Sequence, residues 1–296
     1  TGSKASGVNI AKKGAFVMYG GSISGNGTGV SNDTRFHMYG GSITGNNRGV
    51  NVNSNDFIVA GKVNITGNKT SDGKTSNVYL PANKTITVSG ALGTGAQIGV
   101  TTAKELAEGS YLTIAKGIDT DSSKYTLTET DLNAFTSDSS YDKRLNGNSI
   151  IFTKGDLHIH ALCGASCTHT GTHTDIVWQP LTYNAETQTL YYGGTATSKA
   201  NDGSYKLPAG NYYLTDNITV DNGITITGNV NLCLNGKTLS TTVNDKKVDV
   251  IGVNSQNGKC TLTLCDCDTA GHGTITSQNR TNSGVQIYGY FGGGTT

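Results

Sequence analysis

The fold is decided by Phe16-Val-Met-Tyr-Gly-Gly-Ser-Ile-Ser-Gly-Asn26, which recurs almost unchanged as Phe36-His-Met-Tyr-Gly-Gly-Ser-Ile-Thr-Gly-Asn46. A third, more diverged copy runs from Phe57 to Asn68. The phenylalanines that begin the three copies are 20 and 21 residues apart. A fixed step of this length is typical of repeat proteins, in which one short unit stacks on the next.

Each copy predicts short strands separated by glycine or asparagine corners. Ile23 is expected to point inward and its serine neighbours outward, because successive side chains of a strand face opposite sides. A unit this short cannot bury its apolar face alone, so neighbouring copies should pair as parallel, in-register strands. Asn26, Asn46 and Asn68 each follow a glycine, where their amides can form a ladder. The alternative is a β-sandwich of similar hairpins, which the fixed step disfavours.

The composition argues against nucleic acid as a partner and against insertion into a membrane. The chain has 296 residues, with 22 basic and 21 acidic side chains, so it lacks the basic excess that nucleic-acid binding requires. No apolar run approaches the roughly 20 residues of a membrane helix, so no membrane insertion is expected. One short stretch, Thr102–Glu108, is predicted to be helical. The chain begins without Met inside a repeat pattern, so we interpret it as a piece of a longer polypeptide.

The repeat pattern predicts four segments. Residues 1–99 are solenoid coils, residues 100–156 lack the period and form a small α/β insert or cap, residues 157–175 form a His/Cys-rich knot, and residues 176–296 are a second solenoid module. The last segment contains short alternating strands and Asn-Gly turns. The predicted class is therefore all-β, a parallel solenoid in two stretches with an insert and a knot.

The His/Cys-rich knot is a candidate metal site, because imidazole and thiolate at short spacing suit tetrahedral zinc. A structural zinc ion is favoured over a catalytic one, since only Asp156 and Asp175 are nearby carboxylates. The alternatives are a Cys163–Cys167 disulfide with solvated histidines, or neither. The predicted ligands are His158, His160, Cys163, Cys167, His169 and His173.

The other cysteines are disulfide candidates together with Cys163 and Cys167. Cys233 and Cys265 are expected to point outward on adjacent coils, where a strand spacing of about 4.8 Å is compatible with a disulfide. The alternative is that they are reduced and fill the core. The remaining members of this group are Cys260 and Cys267.

Three motifs carry a resemblance to known proteins. They are Met-Tyr-Gly-Gly-Ser-Ile-Thr-Gly-Asn at 38–46, Leu-Cys-Leu-Asn-Gly-Lys at 232–237 and Leu-Thr-Leu-Cys-Asp-Cys at 262–267. Together they resemble the right-handed β-helix repeat proteins on the surfaces of gut Firmicutes, over residues 1–95 and 157–296. The resemblance implies a right-handed parallel β-helix in a bacterial protein that is secreted or attached to the cell wall. It implies no defined activity.

The spacing of the carboxylates indicates whether the chain could be an enzyme. Polysaccharide-cleaving β-helix enzymes need clustered Asp or Glu, often with calcium. Here carboxylates two residues apart are interpreted as turn and cap chemistry, so no catalysis is expected and a polysaccharide lyase-like enzyme is the alternative. These pairs are Asp119 with Asp121, Glu129 with Asp131, and Asp266 with Asp268.

Two features bear on whether the chain is a binding module or a scaffold, and the sequence alone does not separate the two. Tyr19 and Tyr39 lie one repeat apart and are candidate glycan contacts of an adhesin module, or aromatic support of the coil. Joined tail to head, Gly284 and Gly7 would be 19 residues apart, close to the repeat step. This predicts tandem copies or head-to-tail self-association. The predicted function is a non-catalytic, extracellular structural protein, a unit of an elongated or filamentous bacterial surface assembly.

Overall fold

The structure is a computed structural model that describes residues 5–11, 13–81, 83–162, 175–242, 248–254, 260–268, 272–277 and 285–288. The regular elements of these residues are strands and one short helix, which confirms the all-β class. The chain divides into two compact units, Thr1–Leu106 with Tyr111–Lys154, and Ala107–Ser110 with Gly155–Thr296. The four-segment division stays a prediction.

The elements up to residue 154 are short strands and the helix. They are β1 (Ser6–Ile10), β2 (Ala15–Met18), β3 (Ser22–Ile23), β4 (Thr28–Asn32), β5 (Arg35–Ile43), β6 (Arg48–Val52), β7 (Asp56–Ile65), β8 (Val78–Leu80), β9 (Ile86–Leu92), β10 (Gln97–Thr102), β11 (Ser110–Gly117), β12 (Asp119–Thr120), β13 (Ser123–Lys124), α1 (Glu129–Ala134), β14 (Phe135–Ser137), β15 (Asp142–Asn146) and β16 (Ser149–Lys154).

The repeat copies pair with one another as parallel strands. β2 pairs with β5 and β5 with β7, and the register makes Phe16, Phe36 and Phe57 direct neighbours. Their rings stack with centroids 5.4 and 5.1 Å apart. Phe36 and Phe57 are fully buried. The 20-residue step of the sequence therefore corresponds to one step between paired strands.

A second parallel ladder runs beside the first. β1, β4, β6, β8 and β10 follow one another in order, and Val30, Val50, Val78 and Val100 lie side by side in its core. β14 is added to β10, and β16 is added to β11, which itself pairs with β9. Residues beyond 100 thus extend the same sheet although their sequence has lost the period.

The asparagines at the glycine corners form a continuous amide ladder. The backbone and side-chain N–H groups of Asn26 donate to Asn46 Oδ1, each at 3.0 Å. Asn46 donates in the same way to Asn68, and Asn68 to Asn77. The ladder ends on the carboxylate of Asp138, which accepts from Asn77 N and Nδ2. The amide ladder predicted for Asn26, Asn46 and Asn68 is confirmed.

The helix lies elsewhere than predicted. Thr102 is the last residue of β10, and residues 103–109 form bends and turns, so the helix predicted at Thr102–Glu108 is wrong. The helix α1 forms where Thr128 and Asp131 make a capping box, in which each side chain bonds the other's backbone N–H. The position of the helix therefore follows the local capping signal. The mixture of apolar and charged residues at 102–108 does not form a helix.

The remaining strands belong to the second unit. They are β17 (His158–Ala161), β18 (Asp175–Asn184), β19 (Thr189–Tyr192), β20 (Thr195–Ala196), β21 (Tyr205–Leu207), β22 (Gly210–Leu214), β23 (Ile218–Val220), β24 (Ile224–Ile226), β25 (Val230–Cys233), β26 (Thr238–Thr241), β27 (Ile251–Asn254), β28 (Leu262–Cys265), β29 (Thr274–Ser277) and β30 (Val285–Tyr288).

From β22 onward, every third strand pairs in parallel. β22, β25 and β28 form one ladder, β23, β26 and β29 a second, and β24, β27 and β30 a third. Their inward apolar side chains, such as Leu232, Leu239 and Ile226, form one buried cluster. Before them, β18 pairs antiparallel with β17 and β19 and parallel with β22. No helix in the described ranges is long and apolar enough to cross a membrane.

Candidate metal centre

The strand β17 presents two histidines on one face. His158 and His160 are two residues apart, and alternate residues of a strand point to the same side. β17 is held by antiparallel pairing to β18, where Trp178 Nε1 donates to His160 O at 3.1 Å. The buried Trp178 ring also stacks on the His160 ring with centroids 4.5 Å apart. The position of His160 is therefore fixed by both backbone and ring contacts.

The backbone determines which nitrogen of His160 can bind a metal. His160 Nδ1 lies 2.6 Å from Ala161 O, and a carbonyl oxygen only accepts, so Nδ1 carries the hydrogen. His160 Nε2 is buried and has no hydrogen-bond partner among the described residues. Leaving such an atom unpaired costs about 1–3 kcal/mol. A metal ion at Nε2 would supply the missing partner, and the Nδ1 hydrogen bond is the usual support of a histidine ligand.

His158 is held as a neutral imidazole. Its ring stacks on Tyr213 with centroids 4.1 Å apart, and it meets the His160 ring edge-on at 4.8 Å. Burial, and secondarily the neighbouring charge of His160, lower the pKa of His158 to about 4. His158 Nε2 lies 3.4 Å from Cys267 Sγ. A neutral imidazole can offer one ring nitrogen to a metal ion without first losing a proton.

Parallel pairing brings the two cysteines to the histidines. Cys233 ends β25 and is the register partner of Cys265, which ends β28. Cys267 lies two residues beyond Cys265, and its Sγ is 3.4 Å from Cys233 Sγ. Cys267 Sγ also lies 3.3 Å from the Oδ1 of Asn235, which has a left-handed backbone with φ of 52°. The turn after β25 therefore helps to position the second sulfur.

Both thiols hold their protons tightly in the absence of a cation. The hydrogen bond with Cys265, followed by burial, raises the pKa of Cys233. Burial, followed by the contact with Cys233, raises the pKa of Cys267 to about 12. A bound metal ion reverses this balance, because coordination deprotonates a thiol outright. Metal binding at this site would therefore release protons from the sulfurs.

Together His158, His160, Cys233 and Cys267 form a group that could hold a metal ion. Their four ligand atoms all lie within 4.8 Å of one another. Tetrahedral zinc with two nitrogen and two sulfur ligands separates those atoms by about 3.3–3.8 Å, a value that follows from the usual bond lengths. The separations present are therefore close to those of such a site. All four positions are supplied by protein, which is the pattern of a structural site.

Two of the six predicted metal ligands belong to the group that the structure brings together. His158 and His160 belong to the group, whereas Cys163, Cys167, His169 and His173 lie outside the described residues. The sequence named Cys233 and Cys267 only as disulfide candidates. The short Cys265-Asp-Cys267 motif was their one local signal, and nothing in the sequence linked it to residues more than 100 positions earlier.

None of the four described cysteines forms a disulfide. Cys233 and Cys265 are direct register neighbours on adjacent strands, as expected, but Cys233 is buried, so the expectation that it points outward is wrong. Cys260 lies before β28, where it packs against the apolar cluster of the second unit. The disulfide predictions that involve Cys163 and Cys167 fall outside the described residues.

The carboxylate pairs are used in several ways. In the helix cap, Asp131 accepts from Leu92 N and from Thr128. Asp266 accepts from the backbone N–H groups of Gly236, Asp268 and Gly273. Asp119 forms an exposed ion pair with Lys124 at 3.2 Å. Asp131 and Asp266 thus bind backbone N–H groups, as the cap and turn interpretation expects.

The two candidate glycan contacts lie side by side. The rings of Tyr19 and Tyr39 stack with centroids 5.3 Å apart, and Tyr19 is 77% exposed. His37 meets Tyr39 edge-on, and the carboxylate of Asp56 is bonded by both His37 and Arg35. The exposed Tyr19 ring and the partly buried Tyr39 ring therefore lie beside a small polar network formed by β5 and β7.

Comparison with known proteins gives no relative: no family model, curated protein or solved structure matches this chain.

Proposed function

We propose that this chain is a non-catalytic structural protein of a bacterial surface, and that both units are coils of a right-handed parallel β-helix. The observation that carries the proposal is the pairing of every third strand from β22 to β30. Three ladders visited in rotation are what a chain wound around one core produces. The right hand follows because crossovers between parallel strands almost always have that hand.

Self-association is the functional part of this proposal. β1 and β2 each have a single pairing partner among the described strands, β4 and β5 respectively, so each has one edge that can accept another strand. We propose that copies of the coils continue this stacking into an elongated or filamentous assembly outside the cell. The support is the repeat itself, since in-register ladders extend without a change of geometry.

Solution scattering with analytical ultracentrifugation tests the assembly. The expected result is a concentration-dependent series of rod-like species whose length grows with copy number. Val17→Pro in β2, one of the two strands with an open edge, is expected to weaken the pairing between copies and shorten the series while the β5–β7 pairing remains. A compact, monodisperse monomer at every concentration would contradict the proposal.

We further propose that the second unit binds a structural zinc ion through His158, His160, Cys233 and Cys267. The donor set of two imidazoles and two thiolates suits zinc, and the unpaired His160 Nε2 is the observation that supports it. The ion would join β17 to the end of β25 and to Cys267, two residues beyond the end of β28.

Metal analysis of the chain purified under reducing conditions is expected to give one zinc ion per chain. His160→Gln removes the ligand nitrogen and should abolish stoichiometric binding, whereas Cys260→Ser, a cysteine of the same unit outside the group, should leave it unchanged. The double variant Cys163→Ser/Cys167→Ser tests the ligands predicted from the sequence. Zinc retained in that variant supports the four-residue group, and zinc lost from it contradicts that group.

A glycan-binding adhesin is the second candidate function, favoured by the exposed Tyr19 ring stacked on Tyr39. Exposed aromatic faces suit the apolar faces of sugar rings. A glycan array probed with the chain and with Tyr19→Ala and Tyr39→Ala tests it. Binding that is lost in both variants but kept in Tyr191→Ala would support adhesion, and equal signals for all four proteins would exclude this surface.

A further inference from the structure

The distance between the two sulfurs of the candidate metal centre is close to that of two thiolates on one zinc ion and not far from that of a disulfide. Cys233 Sγ and Cys267 Sγ are 3.4 Å apart. Two thiolates on one tetrahedral zinc ion are separated by about 3.8 Å, whereas a disulfide requires about 2.0 Å. The present separation differs from the first by a few tenths of an ångström and from the second by about 1.4 Å, and it lies between the two.

The two cysteines differ in access to small molecules. Cys233 is fully buried at the end of β25. Cys267 is partly exposed and follows the end of β28, in a segment that is not part of a strand. A soluble oxidant therefore reaches Cys267 first, and Cys233, whose Sγ is 3.4 Å away, is positioned to complete a disulfide with it.

We propose that the centre is a thiol–disulfide switch, in which oxidation of Cys233 and Cys267 to a disulfide ejects the metal ion. The inference rests on the proposed zinc site and assigns its regulation. A site that loses both sulfurs keeps only His158 and His160, which is too few ligands to retain zinc. Metal binding and the disulfide are thus mutually exclusive.

The oxidant is a small-molecule disulfide such as oxidised glutathione. The Cys267 thiolate attacks one sulfur of the oxidant, which forms a mixed disulfide and releases one thiolate. The Cys233 thiolate then attacks Cys267 Sγ, which closes the protein disulfide and releases the second thiolate. The protein loses two electrons, the oxidant gains two, and the zinc ion leaves as Zn²⁺ without changing its oxidation state.

The chain carries its own reporter of the switch. Trp178 is its single tryptophan, and its ring stacks on His160 at 4.5 Å. Loss of the metal frees His160 Nε2 while the Trp178 ring stays in contact with the imidazole. The emission of Trp178 should therefore change with occupancy of the centre, and reduction followed by added zinc should restore it.

The test uses the full chain, reduced and then loaded with zinc, and exposed to oxidised glutathione. Released zinc is measured with a chromogenic chelator, and cysteine pairing is mapped by mass spectrometry of peptides. We expect release of one zinc ion per chain, a Cys233–Cys267 linkage, and recovery of binding after reduction. Cys265→Ser and Cys260→Ser should behave like the unmodified chain.

The outcomes separate the switch from the zinc site. A reduced chain that binds no zinc refutes the proposed site, and the switch with it. A chain that binds zinc but retains it in the oxidant keeps the site and overturns the switch. Zinc release that accompanies a Cys233–Cys265 linkage, or that is abolished by Cys265→Ser, also overturns the proposed pairing.

Discussion

Asp131 is a buried carboxylate that joins the helix cap to a neighbouring strand. Its Oδ1 accepts from Leu92 N at 2.9 Å, and its Oδ2 accepts from Tyr125 Oη, Thr128 N and Thr128 Oγ1. Burial acts to raise the pKa of Asp131, but these donors outweigh it and hold the pKa below its usual value. The folded chain therefore binds a proton at Asp131 less readily than the unfolded chain.

The low pKa of Asp131 makes stability depend on acidity. Its contribution is fully present above the unfolded pKa of about 4 and is lost as pH falls through the lower folded pKa. Asp131→Asn removes an acceptor from Tyr125 or Thr128 and is expected to lower the free energy of unfolding at pH 7 by about 1–3 kcal/mol. Urea unfolding at pH 7 and at pH 3 measures both effects.

The matched control is Asp119→Asn, which removes an exposed carboxylate paired with Lys124. Exposed ion pairs contribute little, so its unfolding midpoint should match that of the unmodified chain. The difference in stability between Asp131→Asn and the unmodified chain should shrink at pH 3. A difference that is the same at both pH values would show that Asp131 acts through packing alone.

At the scale of elements, the asparagine ladder is the polar counterpart of the stacked strands. Asn68 is fully buried and lies between Asn46 and Asn77, with donors and acceptors of its amide all engaged. Gly25, Gly45 and Gly67, which precede the three ladder asparagines of the repeats, all have positive φ. In each Gly-Asn pair, the glycine thus allows the backbone turn and the asparagine supplies the amide of the ladder.

Removing one rung should cost much more inside the ladder than at its end. Asn68→Ala leaves the buried backbone N–H of Asn46 without its acceptor and also removes the donors that Asn68 Nδ2 directs at Ile43 O and Asn77 Oδ1. We expect a loss of about 2–4 kcal/mol in the free energy of unfolding. Asn26→Ala leaves Asn46 Oδ1 with the Asn26 backbone donor and should cost about 1 kcal/mol. Chemical unfolding followed by circular dichroism gives both values. Equal losses would mean that the ladder does not act as a buried network.

The helix α1 is too short to be predicted from a hydrophobic repeat. α1 has six residues, too few for an apolar stripe to repeat. Its signal in the sequence is Thr128 followed three residues later by Asp131, a capping box with aspartate in the place of the usual glutamate. Capping residues thus located this helix better than the helix-forming composition of residues 102–108.

At the scale of the whole molecule, zinc should stabilise one unit selectively. The proposed ligands all belong to the second unit, and so does Trp178. Binding only to the folded state stabilises by about 2.7 kcal/mol at a free zinc concentration one hundred times the Kd. A strong chelator should therefore lower the thermal midpoint followed by Trp178 emission and raise it again when zinc is returned.

The control for this experiment is the first unit. Asn68→Ala, which lies in that unit, should shift the unfolding signal of circular dichroism while the zinc-dependent change of Trp178 emission stays the same. His160→Gln should show the reverse pattern, with a tryptophan midpoint that no longer responds to chelator. A midpoint that ignores the chelator in the unmodified chain would argue against a structural metal.

The sequence alone was sufficient for the all-β class, the register of the repeats, the asparagine ladder and the histidine pair. Each of these depends on residues that are neighbours in the chain or one repeat apart, so spacing determines their positions. It could not locate β14 or β16 in the sheet, because pairing there depends on shape and burial without a repeated motif.

The composition of the candidate metal group was decided by tertiary structure. Cys233 ends β25 and Cys267 lies two residues beyond β28, two strands that pair in parallel, while β17 is held by its pairing with β18. Local spacing cannot encode a contact between residues 109 positions apart, such as His158 and Cys267. Folding creates that contact, because burying the apolar faces of the strands fixes where each strand ends.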